Sequence, residues 1–115
     1  MDVISYDDLI AGIKKKELHL FDVRSPEECA ATGTMPTAVN IPLGQLEEAL
    51  SMTPALFKVT YGVDKPPADS MNVVFSCQAG NRSKGALATA KQRGYSKARH
   101  YPGGIREWLV KNNKP

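Results

Sequence analysis

The chain has 115 residues, 42% hydrophobic and 23% charged, with a formal net charge of +3. That is room for one domain over residues 1–115 with enough apolar surface to fold, which excludes a disordered chain; no apolar run is long enough to cross a bilayer. The charge is mild, and the basic run Lys14 to Lys16 reads as a solvated helix end, so neither nucleic acid nor a membrane is an expected partner.

The first twenty residues mix acids and bases, unlike a signal or transit peptide, so the expected compartment is the cytoplasm. Val3-Ile4 reads as a short strand. Ser5 caps a helix on which Tyr6, Leu9, Ile10 and Ile13 share a face. Leu18 to Val23 is an apolar run of the kind buried on both faces of a parallel sheet. Ser25-Pro26-Glu27-Glu28 starts a second helix, and Gly33 stops it. Ala38 to Ile41 is a strand that Pro42 ends. Two short helices follow, one carrying Leu43, Leu46 and Leu50, the other starting at Thr53-Pro54 and carrying Phe57 and Tyr61. Residues 62–71 form a polar loop, and Asn72 to Ser76 a β-branched and aromatic strand. After the loop 77–82, a helix rich in small residues runs from Ser83 to Arg93, with Gly94 as its stop. Ala98 to Tyr101, the turn Pro102-Gly103-Gly104 and a helix from Ile105 to Lys111 complete the chain. Strands separated by helices require crossovers, hence an α/β fold with a mainly parallel sheet.

Sites in such sheets lie beyond the carboxyl ends of the strands. There Cys77 follows a buried strand directly, and a small loop, Gln78 to Arg82, leads into a helix. Inward-turned amides, the positive helix end and the charges of Arg82 and Lys84 are expected to meet at a sulfur on the rim of this cup. Such settings lower a thiol pKa from about 8.5 to roughly 3.5–7.5. Gly80 supplies the positive φ that an inward-turned loop needs. The other cysteine, Cys29, sits in a short helix among acids that raise its pKa, and reads as a packing residue. Two cysteines are too few for a disulfide scaffold or a structural zinc site. His19, His100 and Trp108 read as packing residues.

Four segments in order resemble the rhodanese (thiosulfate sulfurtransferase) family. They are Leu20 to Glu28, Gly33 to Pro42, Val73 to Ser83, and Gly94-Tyr95 with Tyr101 to Trp108. The overall length and the insert from Leu46 to Tyr61 resemble its small single-domain branch, which passes sulfur from thiosulfate to glutathione. The resemblance implies a five-stranded parallel sheet flanked by helices, with Cys77 as sulfur carrier. It implies that Gln78, Ala79, Gly80, Asn81, Arg82 and Ser83 hold the anion, and that Asp22 and Arg24 brace the loop. Thr37 stands where the family often has Gly, and Gln78 and Asn81 are neutral where some relatives carry charge.

The expected reaction moves a sulfane sulfur from thiosulfate through a Cys77 persulfide to glutathione, another thiol, cyanide or a thioredoxin-like protein. It needs no metal or organic cofactor. A cysteine phosphatase or arsenate reductase is a weaker reading: the stretch from Cys77 to Arg82 is one residue shorter than Cys-x5-Arg, and Ser76 replaces the usual His. A non-catalytic binding module is weaker too, because Cys77 is present.

Overall fold

The computed structural model describes residues 2–112. In chain order the elements are α1 (Tyr6–Lys14), β1 (His19–Asp22), α2 (Pro26–Thr32), β2 (Val39–Asn40), α3 (Leu43–Ser51), α4 (Pro54–Tyr61), β3 (Val73–Ser76), α5 (Asn81–Gln92), β4 (Arg99–His100) and α6 (Gly104–Asn112). The strands are all parallel, in the order β2-β1-β3-β4. β3 is buried throughout, as expected of a central strand covered on both faces.

Side-chain alternation splits the core. Phe21 of β1 and Val73 and Phe75 of β3 point to one face, where they meet Leu46, Leu50, Phe57, Ala86 and Ala90 from α3, α4 and α5. Leu20 and Val74, one step along, point to the other face and meet Leu9, Ile13 and Ile105 from α1 and α6. The register Leu20↔Val74 and Phe21↔Phe75 keeps each pair on a common face. A one-residue slip would send both sets to the wrong side. Each such side chain stabilises the fold by about 1.5–3 kcal/mol relative to exposure.

Four strands form among the described residues, not the five that the resemblance implied. The fifth position is occupied but barely paired. Ile4 N–H donates to the His100 carbonyl at 3.0 Å and His100 N–H to that of Asp2 at 2.8 Å, leaving one bridge, Val3–His100. Pairing stops there because Ser5 accepts from Asp8 N–H at 3.1 Å and turns the chain into α1.

Helix α2 buries none of its residues, so polar contacts hold it. Ser25 and Glu28 form a reciprocal capping box, Pro26 opens the first turn, and Gly33 ends the helix at φ 75°. Helix α5 begins at Asn81 rather than Ser83, because Gly80 turns at φ 100° and the helix starts directly after it.

Candidate active site

Cys77 leaves the carboxyl end of β3, and the turn Gln78-Ala79-Gly80 carries the chain into α5. The sulfur lies at the floor of this cup, not at its rim: Cys77 is 1% exposed and packs in the same cluster as Phe75 and Ala86. The burial of β3 simply continues one residue further than expected. Gly80 N–H donates to Cys77 Sγ at 3.1 Å. No side chain caps α5 by a hydrogen bond, and the sulfur lies at its amino end, against the Gly80 N–H. Burial pushes the Cys77 thiol up. The Ser83 hydroxyl and the backbone N–H groups of Ser83, Gly80 and Ala79 together outweigh it, and the pKa lies below the ordinary value.

Helix α6 explains why those amides face inward. Ile105 N–H donates to the Cys77 carbonyl at 2.8 Å and Arg106 N–H to that of Gln78 at 3.2 Å. A trans peptide directs its N–H opposite its C=O, so tying these carbonyls to α6 turns the Gln78 and Ala79 amides away from it. Two glycines make the approach possible. Gly104 has φ 63°, and a Cβ there would lie 2.5 Å from the Cys77 carbonyl oxygen. A Cβ on Gly80 would lie 2.7 Å from the Pro102 carbonyl oxygen. The sequence marked Gly104 only as a turn residue, since its role depends on a strand end 27 positions back in the chain, at Cys77.

The charges expected at the sulfur are placed elsewhere. Arg82 makes a two-pronged pair with Glu28, Nη1 to Oε1 at 2.6 Å and Nη2 to Oε2 at 2.9 Å. Its charge is thereby compensated, and it ties α5 to α2. Lys84 is exposed on α5, as are the side chains of Gln78 and Asn81 at the cup's mouth. Asp22 and Arg24 brace α2 rather than the cysteine loop. Arg24 Nη2 donates to Asp22 Oδ2 at 2.8 Å and to the Gly33 carbonyl at 3.1 Å, and Nη1 donates to Thr32 Oγ1 at 2.9 Å. Support reaches the site indirectly, from Arg24 to α2 and from Glu28 to Arg82. Cys29 is half-buried; burial and the Asp22 carboxylate raise its thiol above the ordinary value.

The Glu28–Arg82 pair has a pH signature. The Arg82 hydrogen bond, with that from the Ser25 backbone, lowers the Glu28 carboxyl from 4.5 to about 2. A depressed acid stabilises the fold fully above its unfolded pKa and loses that contribution as pH falls through the folded one. Stability is therefore expected to drop between 4.5 and about 2. Glu28→Gln should flatten that part of a denaturation-midpoint profile and leave the neutral-to-alkaline part parallel to wild type. An unchanged acid slope would show that the pair is not linked to folding.

Ser83 and His100 complete the cup. Ser83 Oγ is 2.9 Å from His100 Nδ1 and 3.1 Å from the Gly80 carbonyl oxygen, and both residues are buried. Burial and the Lys84 charge hold His100 below its ordinary pKa, which favours the neutral ring. The sequence placed His100 in the core but could not show its partner, which belongs to another element.

A family model of the rhodanese-like domain matches residues 5–111. Human thiosulfate:glutathione sulfurtransferase is 44% identical over 110 residues, covering 96% of this chain and 95% of its own length. The solved human single-domain sulfurtransferase TSTD1 superposes with a TM-score of 0.92 at 44% identity, over 97% of this chain and 98% of its own. The Saccharomyces cerevisiae single-domain sulfurtransferase RDL2 does so with a TM-score of 0.80 at 31% identity, over 99% and 95%.

Proposed function

The chain belongs to the rhodanese-like family, and from that premise we propose that Cys77 carries a sulfane sulfur from thiosulfate to a thiol acceptor, glutathione. The protein is a sulfurtransferase. In the first step the Cys77 thiolate attacks the outer sulfur of thiosulfate. A sulfur–sulfur bond forms to Cys77, the bond inside thiosulfate breaks, and its electron pair leaves with sulfite. In the second step the acceptor thiolate attacks the outer sulfur of the persulfide and Cys77 departs as a thiolate. Each step exchanges one sulfur–sulfur bond for another, so neither needs an outside oxidant or reductant. Ping-pong kinetics follow.

One observation carries this reading: Cys77 Sγ lies at the amino end of α5 and accepts the Gly80 N–H at 3.1 Å, and the nearby amides and the Ser83 hydroxyl hold its thiol below the ordinary pKa. Donors fixed in place stabilise charge as it spreads over the sulfurs without reorganising. Gln78, Asn81 and the Arg82 backbone line the way in. Lys84 acts from the helix surface, and Asp22 and Arg24 act through α2. The stretch from Cys77 to Arg82, one residue shorter than Cys-x5-Arg, suits a single terminal sulfur. We propose a cytoplasmic location, with thioredoxin-like proteins as a second acceptor class; its two free thiols fit a reducing compartment. Thiosulfate treatment should add the mass of one sulfur atom, and glutathione should remove it. A protein that gains no mass would overturn the assignment.

A hydroxyl has one proton. In the structure the Ser83 hydroxyl donates to the Gly80 carbonyl at 3.1 Å; it turns to the thiolate only while His100 supplies an Nδ1–H to Ser83 Oγ, 2.9 Å away, which makes His100 a positioning residue for Ser83. Ser83→Ala removes a donor from the thiolate and raises its pKa. The acid limb of the pH–rate profile should move to higher pH, with kcat/KM at neutral pH falling about tenfold. Ser83→Thr, which keeps the hydroxyl, should restore the limb. An unmoved limb in Ser83→Ala would remove the hydroxyl from the mechanism.

A further inference from the structure

A groove of about 490 Å³ runs from the cysteine loop along α6, between Ala79, Gly103, Arg106, Glu107, Val110 and Lys111. Its position relative to the sulfur is fixed, because the Ile105 and Arg106 amides are bonded to the Cys77 and Gln78 carbonyls. Its charges are not equivalent. The Glu107 carboxylate accepts from the Tyr101 hydroxyl. The Lys111 ammonium stands 4.8 Å above the Tyr6 ring. Arg106 is exposed and makes no ion pair among the described residues. Among the described residues the groove therefore offers Arg106 as a cation with neither an ion pair nor an aromatic contact, beside the mouth of the cup, with the apolar Val110 exposed on its wall.

We propose that this groove is the acceptor subsite, where Arg106 pairs with a carboxylate of a small anionic thiol of the glutathione type. The proposal rests on the Cys77 persulfide reading and adds where its second substrate binds. Glutathione carries its thiol on a central residue and a carboxylate at each end. Its sulfur can enter the cup while one arm lies along α6. Thiosulfate has no such arm, so the groove bears on discharge and not on loading.

The two half-reactions separate these roles. Protein loaded with thiosulfate and freed of excess donor is mixed with glutathione, neutral 2-mercaptoethanol or cationic cysteamine, and loss of the sulfur is followed by mass. Arg106→Glu should load as wild type does within about threefold, a margin set by the general change in surface charge. It should then discharge to glutathione about tenfold more slowly, to 2-mercaptoethanol at the wild-type rate, and to cysteamine faster. Equal slowing with all three thiols, or an unchanged rate with glutathione, overturns the subsite. So does a loss confined to a thioredoxin-like protein acceptor. Failure of the wild type to load at all would instead sink the persulfide reading, and the two failures are distinct.

Discussion

Cys77→Ser is expected to abolish loading from thiosulfate and to lower turnover by at least about 10⁴-fold, the scale on which enzymes lose activity with their nucleophile. The substitution is close to isosteric. A serine oxygen can still accept from Gly80 N–H, which now donates to the sulfur at 3.1 Å, so the amino end of α5 keeps its partner. What disappears is ionisation. The convergent donors that lower the Cys77 thiol cannot bring an alkanol near neutrality, and an alcohol forms no persulfide. The melting temperature should therefore stay near wild type while the mass gain vanishes. Cys77→Ala separates the two contributions further: it loses the same activity and, by leaving the Gly80 N–H without its acceptor, costs about 1–3 kcal/mol of stability. Cys29→Ser is the control. That thiol is half-buried and held above its ordinary pKa, so its loss should leave loading intact. Loading that survives in Cys77→Ser, or fails in Cys29→Ser, would place the sulfur on the wrong cysteine.

What was legible in the chain follows the range of its signals. The buried strand before Cys77, the positive φ of Gly80, the cap at Ser5 and the helix start at Ser25 to Glu28 are all read from neighbours a few positions apart, and each stands in the structure. The parallel sheet with helices on both faces is legible for the same reason, because alternation and helical spacing are local patterns. The edge was misjudged where local signals are weakest. Val3 and Ile4 look like a strand, yet a competing cap one residue later leaves a single bridge.

The site was legible as to the loop that holds Cys77 and not as to its charges. Arg82 stands beside the cysteine loop in the sequence, which suggested a role on the sulfur, but its partner Glu28 lies 54 positions away on α2. Two opposite charges that can reach each other pair before either serves a distant, already well-donated thiolate. The same applies to Ser83 with His100, 17 positions apart, and to Gly104 beneath the cysteine carbonyl. These contacts arise where β3, β4, α5 and α6 meet, and no window along the chain contains them. Of the effects expected at the sulfur, the amides remain and the formal charges drop out: the Ser83 hydroxyl and the loop amides, rather than Arg82 or Lys84, lower the thiol.

Arg24 carries the largest expected effect on stability. Its side chain is fully buried, yet its donors are satisfied by Asp22, Thr32 Oγ1 and the Gly33 carbonyl. Asp22 is 2% exposed and also accepts from Arg24 N–H at 3.0 Å. Arg24→Met leaves that carboxylate buried without its counter-charge and should cost about 3–5 kcal/mol, against roughly 5–15 for a domain of this kind. Arg24→Lys keeps the charge but loses the planar fork, and should fall between Met and wild type. Replacing both partners, Asp22→Leu with Arg24→Met, removes the stranded charge and should be less destabilising than Arg24→Met alone. Where the loss appears is equally specific. Helix α2 buries no residue, so loss of the Thr32 and Gly33 contacts should first raise hydrogen exchange over residues 26–32 and leave β3 protected. Loading from thiosulfate should persist in the Lys variant, because the cup is built from β3, α5 and α6 and Arg24 reaches it only through Glu28 and Arg82. A Met variant as stable as wild type, or exchange that rises in β3 before α2, would show that the pair does not hold this corner of the fold.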